Sequence, residues 1–110
     1  SRLRELEAET DRAFLAEMID MYIVDSPRHL NELKQGLLAN DERKIVAAAH
    51  TLKGSSLNLG ANALGEACKE LEEVVRQRPL TDVQQWVERF DRLFETTCHD
   101  LLEHKQRLIG

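Results

Sequence analysis

Long apolar runs are missing from these 110 residues. None approaches the ~18 residues that a bilayer-spanning helix needs, and no charged-then-apolar signal segment opens the chain. Together these absences predict a cytoplasmic protein with no direct membrane contact. An excess of positive charge is missing too. The net charge is −5, and no basic stripe carries aromatics between its cations, which argues against a nucleic-acid partner. Cysteine is scarce: Cys68 and Cys98 are far apart and lack C-x-x-C spacing, so a disulfide framework is not expected. Only two prolines and five glycines interrupt the chain. The aromatics are three Phe, one Tyr and one Trp. The first residue is Ser1 rather than Met, which is compatible with a piece of a larger protein.

Leu, Ala and Glu recur throughout, and this favours helix over strand. With 42% apolar and 32% charged residues, the chain predicts one soluble domain over 1–110. Apolar residues return every three or four positions nearly everywhere. Phe14/Leu15, Met18/Ile19 and Tyr22/Ile23 predict a helix over 11–25. Ser26-Pro27 suits an N-cap and first helical position, although Pro27 equally suits a kink in one longer helix reaching residue 39. Asn40-Asp41 predicts a turn and cap before a helix over 42–59, with Gly60 at its stop. A further helix spans 62–77, ended by Arg78-Pro79-Leu80. Thr81 and Gln84 have capping-box spacing ahead of a last, long helix. Leu3 and Leu6 suggest a short helical lead-in. The expected architecture is all-α, an antiparallel four-helix bundle with a short extra N-terminal helix.

The stretch AAHTLKGSSLNLGA at 48–61 looks at first like a loop. Stepping 100° per residue from His50 places Ile45, Ala48, Ala49, Leu52, Ser56 and Leu59 in one arc, opposite His50. That arc passes through Gly-Ser-Ser without losing phase, so the segment is a helix. His50 then faces solvent among Arg43, Val46, Ala47, Lys53, Gly54 and Leu57. Gly54 stands out, because glycine inside a helix costs ~1 kcal/mol relative to alanine. It leaves bare backbone one turn from the imidazole, with room for a bulky group on the ring or a protein against it.

From His50 to Ala61, HTLKGSSLNLGA resembles the signature of histidine-containing phosphotransfer (HPt) domains, the intermediate carriers of two-component phosphorelays. Weaker similarity extends across most of the chain. The resemblance implies a helical bundle without catalytic machinery or cofactor of its own, in which His50 is phosphorylated. It also implies response-regulator receiver domains as partners, which bring the phospho-aspartate and Mg²⁺. The chemistry agrees. Neutral imidazole has a lone pair able to attack an aspartyl phosphate, and phosphoryl transfer needs mainly positioning and charge neutralisation. Lys53 is the expected phosphate-neutralising cation. Arg43, Val46, Ala47, Gly54 and Leu57 form the expected receiver-docking surface, and Arg76 is a further candidate. Lys69, Glu72 and Arg76 share one flank of the next helix, where the resemblance implies a polar or basic residue near the imidazole. Glu72 equally suits a plain salt-bridging partner of Lys69 and Arg76, and that reading is preferred.

The remaining signals are bland. Cys98, His99, Asp100, Glu103 and His104 cluster near the C-terminus, but His99 and His104 are five apart and no H-E-x-x-H is present. This reads as a solvated polar face, and no metal ligand is assigned. His29 is expected on the surface, and Cys68 as a buried small hydrophobe. Two rival functions stand beside the carrier. One is the histidine-bearing dimerisation domain of a sensor kinase, whose histidine is usually followed by an acidic residue where Thr51 stands here. The other is an inert helical interaction module. A monomer is expected, in the cytoplasm or as the cytoplasmic tail of a membrane sensor kinase.

Overall fold

The computed structural model describes residues 12–109, and among these it contains four helices and no strand. They are α1 (Arg12–Ala39), α2 (Glu42–Asn58), α3 (Asn62–Gln77) and α4 (Val83–Ile109). The lead-in helix expected around Leu3 and Leu6 lies outside the described residues.

Helix α1 runs unbroken through Pro27. The buried stripe Leu15, Ile19, Tyr22, Ser26, Leu30, Leu33 and Leu37 keeps one phase on both sides of the proline. Burying both halves, at ~1.5–3 kcal/mol per large apolar side chain, outweighs the ~3 kcal/mol that an interior proline costs. Ser26 is therefore a core residue and not an N-cap. Its hydroxyl donates to the Tyr22 carbonyl one turn back.

The turns follow local chemistry. Asn40 takes a left-handed φ of 51°, and the Asp41 carboxylate caps α2 by accepting from Lys44 N at 3.2 Å. At the far end of α2, Gly60 adopts φ 75°. Its N–H donates to Leu57 O at 3.0 Å, while Ala61 N–H reaches Ser56 O at 2.9 Å. This paired reversal needs the left-handed conformation that glycine adopts without a Cβ penalty. The break at Arg78-Pro79-Leu80 falls where expected. The capping box does not form. Asp82, one residue nearer the apolar series Val83, Trp86, Val87 and Phe90, stands ahead of α4, and its carbonyl accepts from Trp86 N at 3.2 Å. Gln84 turns instead to Glu88.

Ion pairs show that α1 and α4 run antiparallel: Asp20 meets Lys105 at 2.6 Å, and Lys34 meets Asp91 at 2.8 Å. The core has two parts. One packs Leu33 and Leu37 against Ile45, Ala49 and Leu52, with Leu64, Cys68 and Leu71 of α3 and Trp86 and Phe90 of α4. The other joins Leu15, Ile19 and Tyr22 to Leu59, Leu101 and Leu108. The Tyr22 hydroxyl and Ser56 Oγ, 2.8 Å apart, tie α1 to α2. Burial pushes the Tyr22 hydroxyl up to about 12, and the Cys68 thiol likewise to about 12. No helix among the described residues is long and apolar enough to cross a membrane.

Candidate functional site

Helix α2 buries Ile45, Ala48, Ala49, Leu52 and Ser56, with Leu59 buried at its C-cap. That is the arc expected from the sequence. His50 consequently projects from the opposite side, with its side chain 73% exposed. A Cβ added at Gly54 would meet nothing within 4 Å, so the backbone one turn beyond the imidazole is open to solvent. Arg43 and Ala47 are exposed, while Val46 and Leu57 are half-buried. Val46 leans on the core. Leu57 lies over α3 at Gly65, where an added Cβ would come within 2.4 Å of the leucine side chain. This missing Cβ lets α3 approach α2 closely beside His50.

The close approach brings in Glu72, for which the sequence reading preferred a local ion pair over a place beside the imidazole. Glu72 of α3 has a side chain only 5% exposed, yet its carboxylate faces three basic groups. Lys53 Nζ donates to Oε2 at 2.8 Å. His50 Nδ1 stands 3.7 Å from Oε1, too far for a hydrogen bond but close enough to act on the imidazole electrostatically. Arg76 Nη2 lies 4.0 Å from the same oxygen. Arg76 is thus a partner of Glu72 as expected, but Lys53 and His50, not Lys69, complete the group. The contact was hidden because it crosses between helices, and Glu72 shares a helical flank with the two cations that suggested a purely local pairing. A buried carboxylate retains its charge only when paired, and Lys53 is the closest of these partners. The result is a solvent-facing imidazole whose Nδ1 edge is turned toward a buried anion.

Comparisons with known proteins settle the family. Residues 17–106 match the model of the Hpt domain. The chain belongs to the Hpt family. Similar proteins include histidine-containing phosphotransfer protein 1 of Arabidopsis thaliana, 33% identical over 69 residues that make up 61% of this chain and 45% of that protein. Histidine-containing phosphotransfer protein 5 of the same plant is 25% identical over 99% of this chain and 73% of its own length. The chain thus spans less than half of the first of these relatives. Among solved structures, histidine-containing phosphotransfer protein B of Pseudomonas aeruginosa PAO1 superposes with a TM-score of 0.84 at 30% identity, covering 96% of this chain and 91% of that one.

Elsewhere the HPt bundle departs from expectation at one histidine. His29 is half-buried. It lines a cavity of about 260 Å³ between α1 and α2 with Met18, Tyr22, Asp25, Ser55 and Asn58. Near the C-terminus, His99, Asp100 and Glu103 lie on an exposed face, as expected of a solvated polar surface, with side-chain polar atoms within 4.8 Å of one another. His104 is not part of that group; its Nδ1 lies 3.4 Å from Arg107. Cys68 is buried as expected.

Proposed function

We propose that this HPt domain works as a phosphorelay intermediate of two-component signalling, taking a phosphoryl group on His50 from one receiver-domain aspartate and passing it to another. The observation that carries this is the combination at one spot of α2: an outward imidazole, open backbone at Gly54, and a buried carboxylate behind Nδ1.

In this reading Glu72 favours the proton on Nδ1 and leaves the Nε2 lone pair for attack on phosphorus. The docked receiver supplies the phospho-aspartate and Mg²⁺, and the HPt side supplies nucleophile, cations and docking surface. Phosphoryl transfer depends on positioning and on neutralising the spread charge, which suits a partner pressed against the open face around Gly54. Arg43, Val46, Ala47, Gly54 and Leu57 form that face. Lys53 and Arg76 lie on the Glu72 side, where they can share their charge with an incoming phosphoryl group. The bundle spends its main apolar stripes internally, which favours a monomer over the length 1–110, acting in the cytoplasm as a carrier rather than a turnover enzyme.

Intact-protein mass spectrometry after mixing with a phosphorylated receiver, with and without ATP, tests the reading. A single phosphate gained from the receiver and none from ATP alone marks a carrier. Phosphate gained from ATP alone marks a kinase fragment, and none from either source marks an inert bundle.

A further inference from the structure

We infer that Glu72 is the counter-ion of the phosphorylated His50 ring, and that it makes the carried phosphoryl group short-lived and readily passed on. The inference rests on the reading of His50 as the acceptor and adds the control of how long the group stays.

Electron counting leads there. When Nε2 forms its bond to phosphorus, the aspartyl O–P bond breaks and its electron pair returns to the receiver carboxylate. No proton leaves Nδ1, so the imidazole becomes a cation. On onward transfer, an aspartate oxygen of the next receiver attacks phosphorus, and the N–P electron pair returns to Nε2. If Nδ1 keeps its proton, the leaving group is neutral imidazole; if that proton is lost, the leaving group is imidazolate, which is far poorer. A carboxylate 3.7 Å from Nδ1 favours the protonated, reactive form in both directions.

The other charges around the ring do not replace it. On α2 they are Lys53, held by Glu72 at 2.8 Å, and Arg43. On α3 it is Arg76, 4.0 Å from Glu72, likewise cationic. On α1, Asp25 and His29 line the neighbouring cavity along Ser55 and Asn58. Among the described residues, Glu72 is the anion that lies against His50. Its burial keeps water from screening it as fully as a surface carboxylate.

The test uses ¹⁵N-histidine-labelled protein phosphorylated with potassium phosphoramidate, a small donor that needs no receiver. Nitrogen NMR from acid to alkaline pH reads which ring nitrogen carries phosphorus and whether the other carries a proton, and the decay of the signal gives the lifetime of the N–P bond. In the wild type we expect phosphorus on Nε2 and a retained Nδ1 proton. In Glu72→Gln the proton should be lost at lower pH, and the bond should survive longer, by about twofold where the wild-type Nδ1 is still mostly protonated and rising toward about fivefold in alkali, the limit given by ~1 kcal/mol of partly screened pairing. Glu72→Asp should restore part of the difference. Phosphorus on Nδ1, or an unprotonated Nδ1 at neutral pH, overturns the inference from the wild type alone, whatever the stability of the variants. Equal lifetimes and proton profiles in wild type and Glu72→Gln overturn it as well. A His50 left unlabelled in every protein overturns the acceptor reading itself, a result distinct from labelled but identical proteins.

Discussion

Replacing Gly54 separates stability from function at a single position. Nothing lies within 4 Å of an added Cβ there, and the residue is exposed on the His50 face. Gly54→Ala therefore gains the full helix preference of alanine over glycine, ~1 kcal/mol, which raises the melting temperature by about 4 °C in a chain of this size. Gly54→Gln should also fold at or above wild-type stability. Transfer from a receiver should nevertheless fall with side-chain size, slightly for alanine and steeply for glutamine, because the added atoms occupy the space beside the imidazole. Gly65→Ala is the control. Its Cβ would lie 2.4 Å from a Leu57 methyl and 2.7 Å from Leu57 Cγ, and such overpacking costs ~1–3 kcal/mol, enough to cancel or reverse the same helix gain. The assay pairs thermal melts with receiver-to-protein transfer rates for the three variants. A Gly54→Gln protein that unfolds, or one that folds and transfers at the wild-type rate, refutes the reasoning about access.

Two further outcomes follow from the charges and buried groups. Lys53→Ala should slow transfer mildly, as removal of a screened charge. It should also lower stability by ~1–3 kcal/mol, because buried Glu72 loses its closest partner, and Lys53→Ala/Glu72→Gln should recover part of that loss in urea melts. Stability should also fall in alkali. The folded state holds Tyr22 and Cys68 protonated up to about 12, against ordinary values of 10.0 and 9.0. The unfolded chain therefore releases these protons first. Their contribution is complete below pH 9.0 and is lost as pH rises toward about 12, a fall on the order of a few kcal/mol in all. Cys68→Ala should move the onset from about 9 toward about 10; a stability that stays flat through this range contradicts the burial of both groups.

The fold was legible wherever one helix could be read by itself. The phase of Ile45, Ala48, Ala49, Leu52 and Ser56 identified α2 as a helix through Gly-Ser-Ser and put His50 on its outer side, and both hold. Gly60 and Asp41 marked the ends of α2 because caps are local chemistry. Pro27 remained ambiguous because the same dipeptide starts or interrupts a helix. The apolar stripe continuing in phase on both sides is what overrides it. The capping box failed because α4 begins at Val83, one residue later than a Thr81 cap requires, and the burial of Trp86 and Val87 sets that start. Glu72 was misread for the opposite reason. Its partners on α2 become neighbours only once Gly65 lets the helices close, and no spacing within α3 encodes that contact.

The central claim is that His50, and no other histidine, receives the phosphoryl group. The most direct test compares wild type with His50→Gln, each mixed with a phosphorylated receiver domain, by intact mass and by fragment mapping of the labelled peptide. His50 is exposed and contributes nothing to the apolar core, so the variant should melt like the wild type. The wild type should gain one phosphate, on the peptide containing His50, through an acid-labile and alkali-stable bond. His50→Gln should gain none, although His29, His99 and His104 remain. Undiminished phosphate uptake by a folded His50→Gln protein, or label mapped to any of those three histidines, contradicts the account.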